Sequence, residues 1–194
     1  MTRMFDFDDF YDQIARELPD DCRVCEVGVA DGDSAIFLAQ KLIQYNKNFK
    51  LYMVDNMDYG GFIQMKTIYE NAVKMGVAEF IELVPYESVK AASLFNDNFL
   101  DFVFIDASHL YQHTINDIKA WYPKLKDERK LAGHDYFSYS GVQRAVDETI
   151  PVLIKRNDIP DRDFDPERFL NTEQTRNGNG VWWCEKNFYK SIKL

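Results

Sequence analysis

Apolar residues recur along this chain at helical and strand spacings in turn. Phe10, Ile14 and Leu18 share one face of a helix over residues 9–18, which Pro19-Asp20-Asp21 ends. Residues 22–27 then read as a short buried strand. Asp33 or Ser34 caps the next helix, in which Ile36, Phe37, Leu38 and Leu42 are periodic. Residues 49–54 form a second apolar strand ending at Asp55, Gly60-Gly61 marks a loop, and residues 63–75 are helical up to Gly76. Residues 80–84 make a third strand and residues 88–95 a short helix. The most hydrophobic strand, 100–105, ends at Asp106; a helix over 110–125 follows, with Ile115, Ile118 and Tyr122 on one face. A fifth strand, 130–133, ends at His134-Asp135, and the helix over 142–154 is expected to bend or stop early at Pro151. Two strands, 161–170 and 181–186, then flank the turn signal Asn177-Gly178-Asn179-Gly180.

Strand and helix thus alternate five times before two strands close the pattern. Alternation implies an α/β fold, a parallel sheet with helices on both faces. Near-continuous apolar strands fit burial on both sides. Without internal repeats, linkers or low-complexity segments, residues 1–194 read as one domain. The 46% hydrophobic and 15% aromatic content supplies a core and excludes disorder. With 23 basic and 32 acidic side chains, the net charge of −9 disfavours a nucleic-acid partner and an anionic membrane surface. No apolar run approaches the roughly 20 residues of a membrane span. The first ten residues lack the apolar core of a signal peptide, and three cysteines make no disulfide framework, so a reduced, cytoplasmic protein is expected.

In open α/β sheets, functional residues gather beyond the carboxyl ends of the strands. Polar candidates follow all five: Glu26 to Gly28, Asp55, Ser88, Asp106 with His109, and His134-Asp135. Each alone also reads as ordinary loop chemistry, and Ser88 as a helix cap. The first loop has Gly28-x-Ala30-x-Gly32, not the G-x-G-x-x-G of a dinucleotide site. Asp31 and Asp33 in it would repel a pyrophosphate and suit a ligand carrying positive charge, such as an amino group or a sulfonium. Asp55, ending the second strand, is placed to accept hydrogen bonds from both ribose hydroxyls of a nucleotide.

Together these residues resemble the class I S-adenosylmethionine-dependent methyltransferases over roughly residues 20–187. Glu26-x-Gly28-x-x-x-Gly32 resembles their glycine-rich first motif, with Ala30 in place of the usual middle glycine; Val54-Asp55 resembles the acidic second motif, and residues 101–106 the fourth-strand motif. Residues 104–111 followed by Ala132-Gly133-His134-Asp135-Tyr136 look like a bacterial subgroup of small O-methyltransferases, distantly like the catechol O-methyltransferases. One departure is Asp127-Glu128-Arg129 where members usually carry Pro-Gly-Gly or similar.

The resemblance implies a Rossmann-like three-layer α/β/α sandwich whose seven-stranded, mostly parallel sheet ends in an antiparallel hairpin. It implies S-adenosylmethionine as cofactor. Gly28 and Gly32 would let the backbone approach its methionine part, and Glu26 would order the loop and the amino group. Asp55 would take the ribose, Glu87 and Ser88 would lie near the adenine, and Asp106 near the methionine end and the acceptor.

Methyl transfer to a hydroxyl needs alignment, exclusion of water and a base of near-neutral pKa. His109, three residues after Asp106, is the candidate base; its alternative is a helix-capping role. Asp106, His134 and Asp135 match positions that hold a divalent ion in the distant relatives, Mg²⁺, Mn²⁺ or similar; the alternative is that His134 and Asp135 merely close a turn. His113 reads as a helix-surface residue, although His109 and His113 have the i, i+4 spacing of a zinc pair. Cys22-x-x-Cys25 reads as packing, since a redox pair belongs at a helix N-terminus. The acceptor, a small molecule or sugar, would meet the loops at 56–61, 136–141 and 155–179, where Arg156, Arg162, Arg168 and Arg176 mix with acids, or a second subunit, so a homodimer is a candidate assembly. The rival functions are a nicotinamide-dependent oxidoreductase and a non-catalytic binding or scaffold protein on the same fold.

Overall fold

A computed structural model describes residues 5–155, 165 and 169–186. Its elements follow the alternation: α1 (Asp8–Glu17), β1 (Cys22–Val27), α2 (Asp33–Gln44), β2 (Phe49–Val54), α3 (Phe62–Lys74), β3 (Ile81–Val84), α4 (Ser88–Ala92), β4 (Leu100–Ile105), α5 (Tyr111–Trp121), β5 (Leu125–Gly133), α6 (Ser140–Lys155), β6 (Asn171–Glu173) and β7 (Val181–Glu185). The described strands form one seven-stranded sheet in the order β3-β2-β1-β4-β5-β7-β6. Strands β1 to β5 pair in parallel, and β7 pairs antiparallel with both β5 and β6.

The central strand β4 is buried along its whole length, and alternate side chains feed two cores. Phe102 and Phe104 meet Phe7, Phe10 and Tyr11 on the face covered by α1, α2 and α3. Val103 and Ile105 belong to the opposite core with Trp121, Val146 and Trp182. At roughly 1.5–3 kcal/mol for each large apolar side chain fully buried, this double-sided packing explains why the strand is apolar at every position but Asp101, whose buried carboxylate is met by the Arg23 N–H, Lys126 and Arg129.

Three elements depart from the expected spans. The helix expected over 110–125 stops at Trp121; Pro123 has no N–H for a helix interior, so Tyr122–Lys124 tighten into a 3-10 turn. The fifth strand starts earlier, at Leu125, and carries a bulge: Leu100 pairs with Leu125 but Phe102 with Lys130. Glu128, at φ +63°, turns the backbone there, within the Asp127-Glu128-Arg129 stretch. Pro151 does not end α6, which runs on to Lys155 because Val142, Ala145, Val146, Thr149, Ile150 and Ile154 form a continuous buried face. The strand expected over 161–170 falls almost wholly outside the described residues, and the described edge strand is Asn171–Glu173. As the alternation on the last strand implies, Trp182 is buried and Trp183 half-buried. Cys22, Cys25 and Cys184 are buried free thiols. No helix among the described residues is long and apolar enough to cross a membrane.

Candidate active site

The sheet order reverses between β1 and β4, and at such a switch point the loops that follow the two strands diverge and leave a crevice. A cleft of about 870 Å³ opens there, lined by the loops after β1, β2, β3 and β4, by one side of α5, and by Phe5.

The first loop is shaped by left-handed residues: Gly28, Ala30 and Gly32 have φ of +86°, +45° and +86°. Gly28 lines the cleft and is also pressed against the turn after β4; a Cβ on it would lie 2.0 Å from the Asp106 carbonyl oxygen. Gly32 precedes α2, and its missing side chain faces Met53 and Ile68 in the core. Ala30 takes the left-handed conformation without glycine's freedom, at roughly 1–2 kcal/mol.

That strain is held by Asp55. One oxygen of its carboxylate accepts the Val29 and Ala30 backbone N–H groups at 3.1 and 3.2 Å. The other accepts the Met57 N–H at 2.8 Å and the Gln64 amide at 3.4 Å. The carboxylate lines the cleft but is only 9% exposed, with two protein donors on each oxygen. Here it is the staple of the glycine loop, and ribose hydroxyls reaching it would share an acceptor already engaged.

Glu26 lies beneath this loop, fully buried. It accepts the Tyr11 and Ser34 hydroxyls at 2.7 and 2.5 Å, and Ser34 lines the cleft above it. Burial pushes the Glu26 carboxyl up to about 8, the hydroxyl hydrogen bonds opposing and the Asp106 charge adding. At the other end of the cleft Glu87 is exposed, its carboxylate accepting the Lys90 N–H at the start of α4. Ser88 is half-buried and accepts the Trp121 indole N–H at 3.0 Å.

The histidines separate. His109 lies in the loop just before α5, 40% exposed, its Nε2 2.7 Å from Asp135 Oδ2. Its ring stacks on Tyr139, centroids 3.9 Å apart and planes within 7°. The backbone beneath it rests on Gly141, where a Cβ would lie 2.6 Å from the His109 carbonyl oxygen. His113 is exposed, contacts the Ser108 hydroxyl at 3.0 Å and lines the cleft, so the two do not form an i, i+4 pair on a helix.

His134 is buried between carboxylates. Nε2 meets Asp6 at 2.8 Å; Nδ1 lies 3.4 Å from Asp135 and 3.7 Å from Asp106. Burial opposes its charged form, but Asp106, Asp135 and Asp6 outweigh that and raise its pKa. Asp106 keeps 25% of its side chain exposed on the cleft, and Asp135 sits at φ +65°. Asp106, His134 and Asp135 each offer one donor atom, all within 4.8 Å of one another. Two carboxylates and an imidazole suit Mn²⁺, Fe²⁺ or Zn²⁺ more than Mg²⁺. The Nε2–Asp6 contact is the outer carboxylate that commonly orients a ligating imidazole.

Two residues had no role in the sequence reading. Asp6 is buried and also accepts Thr175 Oγ1 at 2.6 Å, Asn177 N–H at 3.1 Å and Asn179 Nδ2 at 3.3 Å. Its only signal was the alternation Phe5-Asp6-Phe7. Asp117 lines the cleft from α5 at 4% exposure, and burial pushes its carboxyl up to about 6. Of the four arginines in the stretch 155–179, Arg156, Arg162 and Arg168 lie outside the described residues. Arg176 pairs with Asp8 and the Phe5 carbonyl. Cys22 and Cys25 sit within β1, not at a helix N-terminus, and burial raises both thiols, Cys22 to about 11.

Residues 25–136 match the family model described as a methyltransferase domain. A comparison with the curated proteins found no match. Among solved structures, an S-adenosylmethionine-dependent O-methyltransferase from Thermotoga maritima superposes with a TM-score of 0.66 at 14% identity, over 92% of this chain and 64% of that one. The present chain therefore spans less than two thirds of that protein. The O-methyltransferase NovP gives a TM-score of 0.66 at 18% identity, covering 93% of this chain and 79% of that one. An rRNA methylase from Streptococcus thermophilus gives 0.60 at 16% identity, covering 92% and 93%. At these identities the likeness is one of fold. The family match spans more than half of the sequence, so the chain belongs to the methyltransferase domain family, on the fold of the class I S-adenosylmethionine-dependent enzymes.

Proposed function

We propose that the protein transfers a methyl group from S-adenosylmethionine to a hydroxyl of a small molecule or sugar, with His109 as general base and a divalent ion held by Asp106, His134 and Asp135. The observation that carries this reading is the pairing of His109 with Asp135 at the edge of the cleft, beside the converging donors of Asp106 and His134. The cofactor supplies a methyl group on a cationic sulfur, and the remaining work is alignment and proton removal.

Asp135 accepts from Nε2 of His109, which leaves Nδ1 as the basic nitrogen of the neutral ring. The stacked Tyr139 ring fixes the imidazole plane. An acceptor hydroxyl docked against Nδ1 gives up its proton as the oxygen attacks, and the resulting imidazolium is stabilised by Asp135. The other Asp135 oxygen faces His134, so one carboxylate joins the base to the metal donors. A bound cation would lower the hydroxyl's pKa and orient it.

The lining bears on the acceptor. Asp31, Asp33, Asp55, Glu87, Asp106 and Asp117 line the cleft, with no lysine or arginine among the described residues. With a net charge of −9, this field favours a cationic cofactor and disfavours polyanionic nucleic acid. Titration calorimetry with S-adenosylmethionine tests the reading: saturable binding is expected, and no heat at high micromolar ligand with folded protein would sink it. For the metal, EDTA should abolish turnover and Mn²⁺ restore it; full activity after exhaustive chelation would remove the ion from the mechanism.

A further inference from the structure

We propose that the protein forms a homodimer through α3, whose solvent face pairs antiparallel with the same face of a second copy.

Helix α3 carries two stripes. Gln64, Ile68 and Ala72 are its buried side, the last two packed into the core. The other stripe, Phe62, Lys66, Tyr69 and Val73, is exposed. Its spacing of four, three and four residues is that of a coiled-coil seam, a narrow line along a helix about 20 Å long. Phe62 is 79%, Tyr69 57% and Val73 54% exposed, and Ile63 beside them is 73% exposed. A surface helix already anchored by one stripe needs no second apolar one for its own fold.

The seam matches itself. A two-fold axis crossing it between Lys66 and Tyr69 sets Phe62 against Val73 of the second copy, and Lys66 against its Tyr69. These are the mixed layers of an antiparallel helix pair, and the second of them places an ammonium on an aromatic ring. The two Tyr69 rings meet on one side of the axis. On the other side the two Lys66 meet, each beside Glu70 of the opposite copy. Within one chain Lys66 Nζ is 3.6 Å from Glu70 Oε1, at 61% and 64% exposure, a pair worth little until a neighbour excludes water. A net charge of −9 makes two copies repel, and this seam, with one lysine matched to one glutamate, is locally neutral.

The area is that of a weak dimer. At roughly 150–250 Å² per aromatic side chain, Phe62 and Tyr69 alone leave on the order of 300 Å² open in each copy. With Ile63 and Val73 the patch reaches the upper end of the roughly 300–600 Å² found on monomers. Pairing buries it twice, about 1,000 Å², which fits a reversible dimer with a micromolar dissociation constant. The loop leading into Phe62 carries Tyr59, which lines the cleft, so the C-terminal end of the second copy's α3 comes to lie beside the cleft mouth.

The test is sedimentation equilibrium of the full chain from ~5 to ~200 μM at ~0.15 M salt. The mean mass should rise from that of one chain toward that of two. Tyr69→Glu should raise the dissociation constant at least ~10-fold and leave the melting temperature of dilute protein unchanged, since the residue is exposed in a single copy. Lys66→Glu gathers four carboxylates at the axis and should weaken pairing at least ~10-fold as well; adding Glu70→Lys to it restores opposite charges and should recover most of the loss. If Tyr69→Glu melts early, the two charge variants decide alone. A single-chain mass throughout the range overturns the proposal and leaves the face to a different protein. A dimer that keeps its affinity in both single variants, or a charge swap that recovers nothing, overturns it as well.

Discussion

Glu26 is a buried acid whose worth to the fold depends on its proton. Its carboxyl is raised from an ordinary glutamate value to about 8, chiefly by burial. Between pH ~4.5 and ~8 the unfolded chain has therefore released a proton that the folded chain still holds, and stability falls as pH rises. The contribution is complete below the unfolded pKa and lost once pH passes the folded one, a change on the order of a few kcal/mol. Glu26→Gln keeps one acceptor oxygen and puts an uncharged NH2 donor in place of the other, so one of the Tyr11 and Ser34 hydroxyls still donates and the other can accept. Urea denaturation should give the two proteins similar stability near pH 5 and the variant a clear advantage above pH ~8. Parallel curves at both pH values would mean that Glu26 does not titrate in this range. His109 is a different case, exposed at the cleft and the base of the proposed reaction. His109→Ala should leave cofactor affinity within about 2-fold and cut turnover by ~10²–10⁴. Unchanged turnover would take His109 out of the chemistry.

At the scale of elements, the loop bearing His109 owes its place to a glycine on another element. Gly141, at the start of α6, packs under the chain at His109 and Tyr111; a Cβ there would lie 2.6 Å from one carbonyl oxygen and 3.1 Å from the next backbone nitrogen but one. Both contacts are to backbone, so Gly141→Ala must move the loop or α6. Because the contact is at the proposed base and not at the glycine loop of β1, turnover should fall ~10-fold or more while cofactor binding by calorimetry holds. A variant with normal turnover would show that the loop tolerates the shift. This dependence explains what the amino-acid pattern could and could not show. Strands β1, β2 and β4 and the residues at their ends are legible because burial on two faces keeps them mostly apolar, with one or two polar positions each. The start of β5 was not: Lys126 to Arg129 are polar, and their strand character comes from a bulge that turns at Glu128. Nor was the stapling role of Asp55, because its donors come from residues 29, 30, 57 and 64, a set that only the folded chain assembles.

At the scale of the molecule, the two ends of the described chain meet at the site through Asp6. From the segment before β1, Phe5 lines the cleft and Asp6 reaches His134. The same carboxylate gathers Thr175, Asn177 and Asn179 from the turn that leads into β7, so it joins residues up to 173 positions apart. Long-range closure of this kind is silent in local patterns, since it depends on the sheet order bringing β7 beside β5. It also ties stability to the proposed metal site, because the Asp6 contact sets the orientation of His134. Asp6→Ala removes a buried acceptor from four donors and leaves a histidine whose charge has lost one carboxylate. Loss of about 3–5 kcal/mol is expected by denaturation, the usual cost of breaking a buried pair on one side. Asp6→Asn is the finer probe, since its amide keeps one acceptor oxygen and nearly the same shape. It should fold, lose less stability than the alanine variant, and bind Mn²⁺ at least ~10-fold more weakly as read by calorimetry. If Asp6→Asn instead binds the ion as the wild type does, His134 is oriented by its packing on Phe7 and not by Asp6.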